Sequence, residues 1–306
     1  MLWGGLALLI AGGVLLTIGA ELFAEHVTGA ARRVGLTTFG LAVLLAGAEP
    51  EEALVAGLAS ARGRPDLAAG DALGANLVIA TLTLGLVALL APIGLTAGVR
   101  RYAAAAAFAS GFAGLMVVGG DVARIEGLLL CLTYVVAVAV VWRLERTPPA
   151  IGEAGEPHTS SSPHDVALLG LGLAGMVAGG VFAVLGAERA VTATGLGDGP
   201  IGLTLLALAT SAEMLALVPA ARRHGVEELA VAGALGAVAY NATLSLGVGA
   251  LVAPLALTST SSLLAVAAVV AAVCVAVTLW PRGMLGPGVG LALALAYPVA
   301  VWFVLV

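Results

Sequence analysis

The segment Thr81-Leu-Thr-Leu-Gly85-Leu-Val-Ala-Leu-Leu-Ala-Pro92 returns, little changed, as Thr243-Leu-Ser-Leu-Gly247-Val-Gly-Ala-Leu-Val-Ala-Pro254. The same offset of 162 positions pairs Gly40 with Gly202 and Gly74 with Gly236. A chain that echoes itself at this distance is an internal duplication, so its fold must be one that two like halves complete. In a very apolar chain, a duplicated half that carries acids inside its apolar runs is the usual pattern of a secondary transporter.

The apolar character is pronounced: 61% of the 306 residues are hydrophobic, 10% are charged and the mean hydropathy is +1.11. Runs of roughly 20 apolar residues, the length that crosses a bilayer as a helix, recur along the chain and predict an all-α integral membrane protein. A barrel is excluded because the runs do not alternate with a strand's period. Most acids lie in loops or inside apolar runs, so the net charge of −5 marks no basic or acidic face, and nucleic acid is not an expected partner. The partners expected are the lipid bilayer and small inorganic cations, with monomer and oligomer both left open. Cys131 and Cys274 stand in separate runs without metal spacing, and His26, His158, His164 and His224 have no metal-ligand company. No nucleophile–base pair, HExxH motif or phosphate loop occurs in the apolar runs, so an enzyme is not expected. The first run lacks a basic leader and a cleavage site, and is expected to persist as a spanning helix.

Breaks at charges and at Pro, Gly and Ser clusters predict about ten transmembrane helices, near residues 2–24, 35–60, 67–91, 102–120, 124–143, 165–187, 199–221, 227–253, 261–280 and 284–305. The one long polar stretch, rich in Pro, Ser and Glu, separates a first five-helix repeat (1–144) from a second (165–306) as a cytoplasmic linker (145–164). An odd number of helices per half makes the two repeats inverted. Arginine placement gives the orientation, since cytoplasmic loops collect basic residues. Odd-numbered connections hold 9 arginines (Arg32, Arg33, Arg100, Arg101, Arg143, Arg146, Arg222, Arg223 and Arg282) and even-numbered ones hold 4 (Arg62, Arg64, Arg124 and Arg189). Both termini are therefore expected outside, in the plasma membrane of a prokaryote.

Ionisable groups inside the apolar runs are costly and need a reason. The densest group is Gly47-Ala48-Glu49-Pro50-Glu51-Glu52, midway along the second predicted span. Proline frees backbone carbonyls, and carbonyls with carboxylates are the oxygen ligands that hard cations such as Ca2+ prefer. The repeat offset places Ala209-Thr210-Ser211-Ala212-Glu213-Met214 opposite this group. The following helices add a lining stripe: Asp71, Ala75 and Ile79 recur every four residues, as do Gly233, Ala237 and Asn241. Asn76 lies off that stripe and is expected to bond between helices. The cation-binding set expected from these patterns is Glu49, Glu52, Asp71, Thr210, Ser211, Glu213 and Asn241. Thr210 and Ser211 have the alternative of bonding back to their own helix, and Asp71 that of an ordinary acid at a helix start.

These residues resemble the Ca2+/cation antiporter superfamily, which includes the Na+/Ca2+ exchangers. Its halves each carry Gly-Thr-Ser-x-Pro-Glu followed by Gly-Asn-x-x-Gly-Ser-Asn-Ile. Here the first half reads Gly47-Ala-Glu-Pro-Glu-Glu52 and Gly70-Asp-Ala-Leu-Gly-Ala-Asn-Leu77, and the second reads Ala209-Thr-Ser-Ala-Glu-Met214 and Ala232-Gly-Ala-Leu-Gly-Ala-Val-Ala239. Gly19-Ala-Glu21 and Gly186-Ala-Glu188 look like the family's Gly-Ser-Asp near the end of each half's first helix. By this resemblance Glu52 stands at the first Ca2+-ligating glutamate. The second falls on Met214, one residue after Glu213. The family's Thr and Ser become Ala48 and Glu49, its later Ser becomes Ala75, and its pocket asparagine and acid become Ile79 and Asn241. The resemblance implies an antiporter exchanging Ca2+, or another divalent cation, for H+ or Na+ by alternating access, with no cofactor. The depleted hydroxyls favour H+. A passive cation channel on the same scaffold, and a non-transporting relative, are the alternatives.

Overall fold

Lipid tails are as apolar as leucine, so helices in a bilayer associate through close packing of small residues rather than through hydrophobic burial. The computed structural model describes residues 2–33, 49–145, 163–215, 218–219 and 227–305. Along them run α1 (Leu2–Arg33), α2 (Pro50–Ala61), α3 (Pro65–Leu90), α4 (Ala97–Val117), α5 (Arg124–Glu145), α6 (Pro163–Thr194), α7 (Asp198–Thr210), α8 (227–252), α9 (Thr260–Leu279) and α10 (Pro287–Leu305). Seven of these, α1, α3, α5, α6, α8, α9 and α10, are long and apolar enough to cross a membrane among the described residues. Much of the predicted linker, and the first part of the predicted span 35–60, lie outside the described residues.

Small residues set the packing. Gly5, Gly12 and Gly19 on α1 meet Gly186, Gly179 and Gly172 on α6, so the two helices run antiparallel with glycine facing glycine every seven residues. A Cβ at Gly12 would stand 2.6 Å from the Ala183 nitrogen and 2.8 Å from the Gly179 oxygen, backbone atoms that cannot swing aside. Elsewhere Gly85 of α3 abuts Gly290 of α10, Gly247 of α8 abuts Gly127 of α5, and Gly70 of α3 abuts Gly202 of α7. In every one of these pairs, a helix from before the polar stretch packs on one from after it.

Two short antiparallel ribbons follow the same rule: β1 (Ile93–Gly94) pairs with β4 (Met284–Leu285), and β2 (Asp121–Val122) pairs with β3 (Leu255–Ala256). They close the ends of α3 and α8, whose membrane windows are each 78% buried. α10 is only 6% buried and α1 33%, so those helices face lipid. Both central helices carry a π-helical turn at matched positions, Val78–Thr83 and Asn241–Ser245. In each turn the repeat-matched threonine, Thr81 or Thr243, donates its hydroxyl to the carbonyl four residues back. Such turns place an extra residue in the helix and redirect the side chains that follow.

Arginines do more than bias topology. Arg100 donates to the Thr278 and Trp280 carbonyls (2.6 and 2.9 Å) and Arg124 to those of Leu251 and Val252 (3.2 and 3.3 Å), closing helix C-termini whose carbonyls have no further turn to meet. Arg62 makes a forked pair with Glu188, both contacts at 2.9 Å, and Arg64 reaches Asp198 at 3.3 Å. The Glu188 hydrogen bond and charge push the Arg62 guanidinium further toward its charged form. Asp66, in the first turn of α3, accepts from the backbone N–H groups of Thr258 and Ser259 (3.0 and 2.8 Å) and from the Thr258 hydroxyl (2.8 Å).

Replacing Gly12 by alanine is expected to overpack the α1–α6 seam and to cost about 1–3 kcal/mol, read as a lowered Tm in detergent. Gly4→Ala, whose added carbon meets nothing within 4 Å, should leave Tm unchanged or slightly raised.

Candidate functional site

Two proline-started helices deliver most of the chemistry. Pro50 opens α2, a position where its missing N–H costs nothing, and Glu51 and Glu52 occupy the first turn, where the positive end of the helix dipole favours carboxylates. Glu49 is the N-cap, its carbonyl accepting the Glu52 N–H at 3.0 Å. The acidic group thus stands at a helix start. Pro65 opens α3 in the same way and carries Asp71 inward along the helix. Glycines bring the opposite wall close: at Gly74 a Cβ would lie 2.7 Å from Leu203 O and from the Ala207 side chain, so α3 lies directly on α7. Glu49, Glu51, Glu52, Asp71, Thr210, Ser211, Glu213 and Asn241 are all at most 5% exposed.

Three groupings emerge. Glu52 lies against Asp71 and Thr210. The one Thr210 O–H is shared between Asp71 Oδ1 (3.1 Å) and the Ala207 and Leu206 carbonyls (3.1 and 3.3 Å), so this threonine both reaches across to α3 and bonds back to its own helix. Asn241 donates from Nδ2 to Glu49 Oε2 at 2.7 Å, and its Oδ1 accepts from the Ser245 hydroxyl at 3.2 Å, which fixes the amide's orientation. Glu51 and Glu213 face one another, so Glu213 meets Glu51 rather than Glu52. The Asp71 carboxyl sits at 0% exposure beside Thr210, well away from the start of its helix at Pro65.

Several acceptors in this region are left for a ligand: Glu52 Oε2, Asp71 Oδ2 and Ser211 Oγ have no hydrogen-bond partner among the described residues. Hard cations take such oxygens, and a buried carboxylate with an unfilled lone pair fits a divalent ion better than a softer metal. Among the described residues no three acids are gathered closely enough to form a ready cage. Met214 and Ile79 are buried and apolar, at 1% and 0% exposure, and offer no ligand. Asn76 is buried, and among the described residues neither of its amide atoms is paired, in place of the interhelical bond its position suggested.

Sequence patterns counted Glu51 in the acidic group but left it out of the cation-binding set, and passed over Ser245 and Tyr240. Tyr240 is buried, stacks edge-on against Tyr134 with centroids 5.2 Å apart, and feels the charges of Glu49, Glu51 and Glu52. Its signal in the sequence was present: it directly precedes Asn241 in an otherwise aliphatic run.

The sequence profile of the sodium/calcium exchanger protein family matches residues 4–143 and 164–306. Among curated proteins the chain is similar to CaxA of Alkalimonas amylolytica, a candidate antiporter by its name, at 30% identity over 254 residues, covering 80% of each chain. It is similar also to the inner membrane protein YrbG of Escherichia coli, at 29% identity over 259 residues, covering 81% of this chain and 80% of YrbG. Its fold is like that of the sodium-calcium exchanger NCX_Mj, with a TM-score of 0.64, 22% identity and 99% of both chains covered.

Removing the amide in Asn241→Ala is expected to take one buried donor from Glu49. Losing a hydrogen bond to a charged group costs about 1.5–3 kcal/mol, which thermal unfolding in detergent without added divalent cation would register as a lower Tm. Ser245→Ala, which only loosens the amide's orientation, should cost less.

Proposed function

The chain belongs to the sodium/calcium exchanger protein family, and on that premise we propose that this cation antiporter exchanges Ca2+, or another divalent cation, for H+ or Na+ by alternating access. The divalent ion is held by Glu52, Asp71 and Thr210, with Glu49, Ser211 and Asn241 completing the pocket and Glu213 at its edge against Glu51. The observation that carries the reading is the Glu52–Asp71–Thr210 contact, where oxygens from α2, α3 and α7 converge and two of them, Glu52 Oε2 and Asp71 Oδ2, have no hydrogen-bond partner among the described residues.

Charge balance bears on the counter-ion. Glu49, Glu51, Glu52, Asp71 and Glu213 are each buried, and among the described residues the arginine contacts seen, such as Arg62 with Glu188, lie elsewhere. One divalent ion neutralises two carboxylates, so further positive charge must enter with it or in its place. Ala75 and Ile79, both at 0% exposure, stand where the family places a hydroxyl and an amide, which leaves fewer neutral oxygens for Na+ and favours H+.

The scaffold for this exchange is ten spans in two inverted halves, 1–144 and 165–306, joined by a linker at 145–164. Three observations support it: the antiparallel α1–α6 register, the matched π turns of α3 and α8, and the reciprocal ribbon pairing. Antiparallel first helices in the two halves require an even number of crossings between them, and so an odd number of spans in the first half. Both termini then face outward from the plasma membrane of a prokaryote.

Proteoliposomes with a Ca2+-sensitive dye inside test the proposal. Uptake should saturate with Ca2+ and be driven by a pH gradient or, failing that, by a Na+ gradient. Glu52→Gln should lower the rate by at least about a hundredfold, since loss of even an outer-shell partner costs 10–100-fold in metal affinity. Non-saturating flux that neither gradient drives would indicate a channel, and full activity in Glu52→Gln would remove that residue from the pocket.

A further inference from the structure

Ser245, Asn241 and Glu49 form one bonded line between α8 and the start of α2. The Ser245 hydroxyl donates to Asn241 Oδ1 at 3.2 Å, and Asn241 Nδ2 donates to Glu49 Oε2 at 2.7 Å. The three are buried, at 0%, 0% and 2% exposure. The amide is thus held at both ends, and what it turns toward the acid is its N–H and not its oxygen. That choice of end matters, because an ionised carboxylate accepts hydrogen bonds and has none to give.

The line is not a requirement of the π turn that contains Asn241 and Ser245. The repeat offset of 162 pairs Glu49 with Ser211, Asn241 with Ile79 and Ser245 with Thr83. The matching turn, Val78–Thr83, forms with an isoleucine in the amide's place. There Thr83 Oγ1 and Ser211 Oγ, both on buried residues, have no hydrogen-bond partner among the described residues. What the two turns share is the bond from Thr81 or Thr243 to the carbonyl four residues back, as hydroxyls in membrane helices commonly make. Ser245 departs from that pattern: it also reaches four residues back, but to the side chain of Asn241. The hydroxyl–amide link is therefore made in the half where it meets an acid, and its counterpart is missing where the matching position is a serine.

We infer that Ser245 is a positioning residue for the exchange reaction: acting through Asn241, it fixes the direction from which Glu49 faces the cation. The role rests on the place of Glu49 in the cation pocket proposed above. Without the Ser245 hydroxyl the Asn241 amide is free to turn end for end, and its oxygen would then oppose the Glu49 carboxylate and push it from its place. A displaced acid weakens the hold on the ion more than it slows the passage of an ion already bound. The signature is a raised half-saturation with the maximal rate largely kept.

Two measurements separate this role from simple packing. In detergent without added divalent cation, Ser245→Ala should lower the Tm, and in a Glu49→Gln background the loss should fall to about half or less. A glutamine amide pairs with either end of Asn241, so the orientation that Ser245 selects no longer matters there. In proteoliposomes, Ser245→Ala should raise the Ca2+ half-saturation about threefold to tenfold, at or below the range for loss of an outer-shell partner, with maximal flux within about twofold of wild type. Ser245→Thr, which keeps the hydroxyl that the first half carries at Thr83, should restore the half-saturation. An equal Tm loss in both backgrounds overturns the proposal, as does a wild-type half-saturation in Ser245→Ala or a failure of threonine to restore it. The Tm comparison needs no transport, so a protein that failed to carry Ca2+ would sink the proposed function and leave this line of bonds to be judged on its own.

Discussion

Five of the carboxyl groups buried among the described residues, Glu49, Glu51, Glu52, Asp71 and Glu213, with partners that include amides, hydroxyls and each other, are the constraint to which the rest of the molecule answers. Ionised acids in a low-dielectric interior are costly unless something positive stands beside them. In soluble proteins arginine commonly serves, but here Arg62 and Arg64 are held at the surface by Glu188 and Asp198. The Asn241 amide donates to Glu49, and a shared hydroxyl from Thr210 serves Asp71. In the function proposed above, a transported cation supplies the positive charge that this arrangement draws on. Structure and function are joined at that point: a site fully satisfied by the protein would have no use for a cation.

Bringing such groups together takes a fold in which neither half makes the site alone. Glu52 and Asp71 come from before the polar stretch, Thr210 and Asn241 from after it. The glycine contacts explain how the halves approach: α3 lies on α7 through Gly70 and Gly74, and α1 on α6 through three glycine pairs. Small residues let backbones come within direct contact, which in lipid supplies much of the attraction between helices. The ribbons β1–β4 and β2–β3 and the Asp66 clamp on Thr258 and Ser259 then fasten the ends. α1 and α6 are joined mainly to each other, which makes them one packed unit on the flank of the site.

Much of this was legible in the sequence, for physical reasons that differ from residue to residue. Glu49, Glu52, Asp71, Thr210 and Asn241 stood out because polar groups in apolar runs are expensive, and one repeat offset placed them opposite one another. Glu213 did not follow. One residue of displacement turns a helical side chain by about 100°, and the chain leaves helical geometry at Ser211, so this acid meets Glu51. The stripe of Asp71, Ala75 and Ile79 assumed a uniform helix, whereas a π turn begins at Val78. The pairing of Gly19 with Gly186 at an offset of 167 was visible, but the α1–α6 seam was not, because across antiparallel helices Gly19 meets Gly172 and Gly5 meets Gly186. Side-chain pairings such as Arg62 with Glu188 join residues 126 apart in the chain, and no local pattern announces them.

The central claim is that Asp71 and Glu52 hold the transported divalent ion together, and calorimetric titration of the purified protein with Ca2+ tests it without reference to transport. Wild type should show a saturable binding heat that Asp71→Asn weakens by about tenfold or more, the change expected when a carboxylate ligand of a hard cation loses its charge. Circular dichroism and Tm should show that the variant is folded. A variant that is folded and binds Ca2+ with wild-type affinity would contradict the account and move the ion away from α3.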